Sequence, residues 1–305
     1  MANIAYLILA HEHPKHLGKL IDRLTSPAAV FFIHLDKKSP AAAFRHIRGE
    51  NIHFTSKRKT VHWGDFSIVE ATLLLLRAAL AHPSRPQRFV LLSGADYPLH
   101  SAAYIEAFFE RHGDTEYMGL TPMPSDEEDK PISRLTTYKA RPGAAKINWL
   151  VRRALVRFGA IPKERDYRTH LKGITPYGGS MWWALSREAC EYMLEFIDRE
   201  RRMVRFFKHT HCPDESFFHT ILGNSAYKNH MLREVTYADW TAGGRSPALF
   251  SEAHLERFRE AQGFSTSGGA DAVQALFARK FSDESTEIAE RLRQLIESGA
   301  PQIDG

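Results

Sequence analysis

Cysteine is scarce in this chain: its 305 residues include only Cys190 and Cys212. A disulfide framework is thereby excluded, and a reducing compartment is the simpler setting. Long apolar runs are missing as well. The N-terminal run, Ile4 to Ala10, is followed by polar residues and preceded by no basic segment. It is too short to span a bilayer and does not read as a secretory signal. No Gly-x-Gly-x-x-Gly and no P-loop occur, so neither glycine-rich phosphate cradle is available. There is no internal repeat or low-complexity tract. Asp-x-Asp, the carboxylate pair that commonly holds a hard divalent cation, is also absent.

The composition itself is that of an ordinary globular protein, 43% hydrophobic and 25% charged. Its length is about twice the usual domain and allows one large α/β domain or two small ones. Forty-one basic against 36 acidic residues leave a net charge of +5, and that surplus is concentrated. Residues 134–172 hold eleven Lys and Arg against only Glu164 and Asp166. There Arg152, Arg153 and Arg157 interleave with Leu150, Val151, Leu155, Val156 and Phe158, which makes an anionic membrane surface a candidate partner. No RNA-binding or helix-turn-helix signature accompanies the charge, so nucleic acid is not expected.

Short runs rich in β-branched or aromatic residues alternate with stretches of helical periodicity over the first 120 residues. The runs Ile4–Ala10, Val30–Leu35, Ile52–Thr55, Phe89–Ser93 and Tyr117–Leu120 read as strands, and Pro14–Leu24, Phe66–Ala81 and Ala102–Arg111 as helices. This rhythm predicts a doubly wound, largely parallel sheet with ligands beyond the strands' C-terminal ends. Residues 121–145 read as a long loop or insertion. Regular structure is expected again from Gly178, with a strand over Met181–Leu185, Ser186 as N-cap, and a helix over Glu188–Glu200. A helix start near Pro213 and a terminal amphipathic helix from Asp283 to Ile296 complete the pattern.

Two histidine clusters superficially resemble metal sites. His11-Glu12-His13 with His16 lacks the four-residue spacing of a zincin helix, and His209-Thr-His211-Cys212 has no second cluster to complete a tetrahedral set. Without Asp-x-Asp, charge developing on a diphosphate would fall to Arg or Lys side chains. Arg245, in a glycine loop, and Lys280, in Arg279-Lys280-Phe281, are such cations; alone, each reads equally as a solvated surface charge. In Cys212-Pro213-Asp214-Glu215 a carboxylate can serve as a base or simply cap a helix start. Of Trp182 and Trp183, which point to opposite faces of a strand, one is expected in the core.

Several segments together resemble the core-2/I-branching β-1,6-N-acetylglucosaminyltransferase family, which includes the peptide O-xylosyltransferases. They are Ala5-Tyr-Leu-Ile-Leu-Ala-His11, Ile33-His-Leu-Asp36-Lys-Lys, Val61-His62-Trp63-Gly64, Leu91-Leu-Ser-Gly-Ala-Asp96-Tyr-Pro-Leu, Gly178-Gly-Ser180-Met-Trp-Trp, Pro213-Asp-Glu215, Arg245-Ser246 and Phe277-Ala-Arg-Lys280-Phe. No single piece is specific, but all occur in family order along nearly the whole chain. The resemblance implies an α/β fold of GT-A type, the nucleotide-diphospho-sugar transferase fold, with a Rossmann-like mixed sheet flanked by helices. It also implies a UDP-sugar donor, a hydroxyl acceptor on a glycan, lipid-linked sugar or protein, and inversion at the anomeric carbon. No cofactor is expected, since the family includes members that work without a divalent metal.

Carried over by residue, the resemblance gives Leu9, Ala10 and His11 to the nucleotide, Asp36 to uridine, and Arg245 and Lys280 to the diphosphate. Glu215 matches the general base. His62 stands where the branching enzymes carry a donor-contacting Tyr. Asp96 either orients a substrate or caps the turn at Tyr97-Pro98. Ser180, Trp182, Asp239 and Trp240 are acceptor candidates, and Asp239-Trp240 lies closer to the xylosyltransferase side. One catalytic domain is expected over 1–305, divided into a nucleotide-binding half (1–120), a basic insertion (121–175) and an acceptor and catalytic half (176–305). Animal relatives carry a membrane anchor, whereas this chain is expected to be a bare catalytic domain, cytoplasmic or peripheral on the inner membrane face. Two alternatives remain: a metal-dependent transferase using Asp36 and Asp96, and a catalytically inactive saccharide-binding relative.

Overall fold

The computed structural model describes residues 3–139, 149–160, 164–241, 243–244, 246–261, 263–266 and 272–298. The strands of its first half are β1 (Ile4–Ala10), β2 (Ala29–Leu35), β3 (Ile52–Phe54), β4 (Arg88–Ser93), β5 (Asp96–Pro98) and β6 (Glu116–Tyr117). Those of the second are β7 (Thr121–Pro122), β8 (Tyr177–Gly178), β9 (Ala184–Ser186), β10 (Met231–Leu232), β11 (Thr236–Ala238) and β12 (Phe277–Arg279). Helices α1 (Pro14–Leu24), α2 (Ser67–Leu80), α3 (Ala102–Arg111), α4 (Ser133–Thr136), α5 (Trp149–Arg157) and α6 (Tyr167–Leu171) precede the midpoint of β8 and β9. They are followed by α7 (Arg187–Arg199), α8 (Arg201–Phe207), α9 (Phe217–Leu222), α10 (Glu252–Ala261) and α11 (Thr286–Glu297).

Seven strands form the main sheet in the order β10-β6-β9-β4-β1-β2-β3. Strands β4, β1, β2 and β3 are parallel, but β9 runs antiparallel to both β4 and β6. The sheet is therefore mixed and flanked by helices, the arrangement that the family resemblance implies, rather than largely parallel as periodicity alone implies. Alternation along β1 explains its two-sided burial. Ala5 and Leu7 join the core beneath α2 and α7, while Ile4, Tyr6 and Ile8 face the core beneath α1 and α3. Pro14 occupies the first turn of α1, where its missing N–H costs nothing. Ser186 caps α7 by accepting from the Ala189 amide, as expected.

A second sheet, β11-β12-β5, sits beside the main one and rests on a smaller core with α10 and α11. Here the sequence expectation fails informatively. Residues 96–98, where a turn at Tyr97-Pro98 is expected, form β5, which pairs antiparallel with β12 and sets Asp96 opposite Arg279. Three residues are too short for a periodic signal, and their partner lies far along the chain. The strand expected over 181–185 begins only at Ala184, and the helix start near Pro213 is a single 3₁₀ turn before α9. The supposed loop after residue 121 contains β7 and α4, and residues 140–148 lie outside the described residues.

Candidate active site

Glu215 owes its position to backbone chemistry on either side of it. Cys212 adopts a left-handed conformation (φ 46°), Pro213 then opens the 3₁₀ turn Pro213–Glu215, and the Glu215 carbonyl accepts from the Gly179 amide at 3.0 Å. Gly179 permits that approach because it has no side chain. A Cβ there would collide with the Gly119 carbonyl oxygen and lie 2.7 Å from the His219 ring. The Gly178-Gly179 pair is thus a packing requirement for bringing β8 against the turn that carries Glu215.

The Glu215 side chain lines a cavity of about 880 Å³ together with Lys130, Arg134, Ser180, Trp182, Glu234 and Trp240. Lys130 Nζ donates to Glu215 Oε2 at 2.7 Å, and Arg134 Nη1 donates to the same oxygen at 2.6 Å. Burial alone would push the carboxyl's pKa up, but these two cations outweigh it and hold the group below its ordinary value. Among the described residues, no hydrogen-bond donor reaches Oε1. One oxygen is clamped, and the other is left for a ligand. The sequence pattern pairs neither cation with Glu215: Arg134 opens the basic stretch 134–172, yet its side chain is only 13% exposed and turned inward.

Two further acids stand nearby. Asp214 is pushed up to about 7, first by burial and then by the Glu215 charge, and its Oδ1 is sealed from solvent without a hydrogen-bond partner. Glu234 lines the cavity, and burial raises its pKa as well. Nothing in the sequence pattern singled it out, because a lone Glu before a two- or three-residue strand carries no spacing signal. A carboxyl so placed can receive hydroxyl hydrogen bonds when ionised and donate one when protonated.

A separate set of candidates gathers at the C-terminal ends of β1 and β2. The Leu9 carbonyl accepts from Gly94, the Ala10 carbonyl accepts from Asp36, and His11 follows with its ring exposed. The Asp36 carboxylate accepts from the Lys38 amide at 2.8 Å and the Val61 amide at 3.2 Å, so it pins the loop that carries His62. The His62 amide in turn donates to Ser67 Oγ. Lys280 directly follows β12 and lies near enough to His11 for its charge to act there. The His11 pKa is lowered chiefly by the partial burial that its ring retains; Glu12 opposes this, and Lys280 reinforces it.

Arg279 joins the two groups. Its guanidinium lies 4.2 Å over the Trp182 ring in the cavity, and its Nε is 3.7 Å from Asp96 Oδ1. Asp96 Oδ2 meanwhile accepts from the Ser93 amide at 2.9 Å. Asp96 is fully buried and outside the cavity wall, so it braces the turn and Arg279. Trp183 fills the core while Trp182 faces the cavity, and the Ser180 carbonyl oxygen accepts from His219 Nε2 at 2.8 Å.

Asp239 is not brought into the cavity. It accepts from the Thr241 amide and hydroxyl and from His254 Nε2 at 2.9 Å, and those bonds, Thr241's first, pull its pKa down to about 2. Trp240, by contrast, is exposed and lines the cavity. Arg245 lies outside the described residues. Among the described residues no three His, Cys, Asp or Glu side chains converge as a metal-ligand set, the His209–Cys212 cluster included.

Residues 4–261 match the family model described as Core-2/I-Branching enzyme. Xylosyltransferase 1 of Rattus norvegicus is 25% identical over 308 residues, which cover 91% of this chain and 33% of that protein. Xylosyltransferase 2 of Homo sapiens is 28% identical over 229 residues, covering 73% of this chain and 24% of that protein. The chain thus spans a third or less of the length of these relatives. Among solved structures, the apo form of mouse xyloside xylosyltransferase 1 aligns over 90% of this chain and 97% of its own, with a TM-score of 0.36 and 11% identity. With the family match extending over most of the chain, from β1 through α10, the chain belongs to the core-2/I-branching enzyme family of glycosyltransferases.

Proposed function

We propose that this protein is an inverting transferase that moves a sugar, xylose or N-acetylglucosamine, from a UDP-sugar to a hydroxyl of a glycan, lipid-linked sugar or protein. The observation that carries the reading is the asymmetry of Glu215, a cavity-lining side chain whose Oε2 is held by two cations while no donor among the described residues reaches Oε1. An acceptor hydroxyl is a poor nucleophile until its proton is taken. In this reading Oε1 receives that proton as the acceptor oxygen bonds to the anomeric carbon. The bond to the diphosphate oxygen breaks on the opposite face, and its electron pair leaves with UDP.

Lys280 and Arg245 neutralise the departing charge in place of a divalent metal, consistent with a sequence lacking Asp-x-Asp. Leu9, Ala10, His11, Asp36 and His62 hold the nucleotide beyond the strand ends, where an α/β sheet presents its ligands. Ser180, Trp182 and Trp240 receive the acceptor in the cavity. The names of the relatives favour xylose as the donor sugar. We also assign α5 to an anionic membrane surface, supported by exposed Arg153, Arg157 and Phe158, the last 81% exposed. Among the described residues no helix is long and apolar enough to cross a membrane.

The test is UDP release across UDP-xylose, UDP-N-acetylglucosamine, UDP-glucose and UDP-galactose, for wild type and Glu215→Gln. One donor is expected to be consumed, with or without excess EDTA, and the variant is expected to lose on the order of 10²–10⁴ in rate. A wild type that neither binds UDP nor hydrolyses any of these donors would sink the enzymatic reading; loss to EDTA with recovery in Mn²⁺ would favour a metal-dependent enzyme.

A further inference from the structure

A second cavity, of about 390 Å³, lies between the segment after α4, the approach to α6 and the outer face of α8. Among the described residues that line it, Arg165 is the only charged side chain that is buried. Its guanidinium donates to the carbonyl oxygens of Phe206 and His209 at 2.6 Å each and lies 3.7 Å over the Phe206 ring. These partners are all neutral. The other buried arginines face acids: Arg88 is 3.9 Å from Glu116, Arg187 2.7 Å from Glu191, and the largely buried Arg279 3.7 Å from Asp96. Among the described residues no carboxylate comes within ion-pair distance of Arg165, and burial draws its pKa down to about 10.

The rest of the cavity wall increases the positive charge. Arg202 and Arg205 project from the exposed face of α8, and among the described residues no Asp or Glu lines the cavity. Its remaining walls are rings, with Tyr138 stacked on His209 at 4.6 Å and His170 on Phe206 at 5.1 Å. A buried charge is tolerated when a counterion is supplied, and the planar fork of a guanidinium matches phosphate oxygens two at a time. Three arginines around a recess this small suit a compact anion.

We propose that this cavity binds a phosphate group. The chain leading into it favours a lipid headgroup as the source, since Phe158, seven positions before Arg165, is 81% exposed and Arg153 and Arg157 are exposed beside it. A phosphate on a soluble molecule shares the same chemistry. The site is independent of sugar transfer and would stand in a catalytically inactive protein.

The experiment uses the full chain, as wild type, as Arg202→Ala/Arg205→Ala, and as Arg45→Ala/Arg48→Ala, a control that removes two exposed charges elsewhere. Each is sedimented with phosphatidylcholine vesicles containing phosphatidic acid, or containing fatty acid at matched charge, and melted with and without inorganic pyrophosphate. Wild type and control are expected to prefer phosphatidic acid over the carboxylate lipid, and the α8 variant to bind it about tenfold or more weakly. Melting without ligand reports that the variant is folded. Stabilisation of wild type by pyrophosphate, lost in the α8 variant and without any vesicle preference, would keep the phosphate site and assign it to a soluble ligand. Equal binding of both vesicle types with no pyrophosphate shift, or a response unchanged in the α8 variant, would overturn the proposal.

Discussion

Arg134 Nη1 donates to Glu215 Oε2 at 2.6 Å, a contact made across 81 residues of sequence. Lys130 reaches the same oxygen, so the carboxylate is both oriented and kept ionised. A base held this way is a weaker proton acceptor than a free glutamate, but it stays ionised to lower pH. Its open oxygen is also aimed by the clamp rather than free to rotate, which is where positioned groups gain most of their catalytic advantage.

That clamp predicts a pH effect with a definite sign. Activity requires ionised Glu215, and the clamped carboxyl stays ionised to lower pH than an ordinary glutamate. Replacing Lys130 with Met removes one of the two lowering influences and leaves the burial that raises the pKa. The acid limb of the rate profile is expected to move to higher pH in Lys130→Met, while UDP affinity is unchanged. Rate-against-pH curves for donor turnover check this, and an unmoved limb would remove Glu215 as the group seen in the profile.

Lys280 lies at the strand ends beside His11, and Arg279, its neighbour, reaches Trp182 in the cavity. A cation there acts on the leaving diphosphate only if its charge is needed in the transition state. Lys280→Ala is therefore expected to lower turnover on the order of 10²–10³, and added Mn²⁺ is not expected to restore it. Steady-state UDP release with and without Mn²⁺ makes the comparison. Recovery in metal would show that the diphosphate is handled by a cation site other than the side chains.

The parts of this architecture that were legible beforehand are those with local causes. Strand β1 and helices α1 and α3 fall at the expected limits because the apolar period and Pro14 each act within one element. The site was readable as a set of segments, but not as contacts. Asp96 opposite Arg279 depends on the register of β5 against β12, and no local pattern encodes a pairing between segments so far apart. Arg134 looked like one basic residue among eleven, since charge in sequence does not say which way a side chain faces. Arg165, buried in the same stretch, was hidden for the same reason.

Asp214 offers the sharpest test of the electrostatics around the base. Burial, followed by the charge of Glu215, raises its pKa from the usual 3.8 to about 7. Between those two values the folded protein binds a proton that the unfolded chain releases, so stability falls as pH rises. The contribution is complete below about pH 3.8 and is lost as pH climbs through about 7. Asparagine mimics the protonated acid without titrating. Asp214→Asn is therefore expected to melt above wild type at pH 8, with the gap narrowing toward pH 5. Titrating groups distant from Asp214 affect both proteins alike and drop out of the difference between them, which leaves Asp214 and its coupling to Glu215. Melting curves for the pair across that range decide the matter, and a difference independent of pH would mean that Asp214 is already ionised beside Glu215.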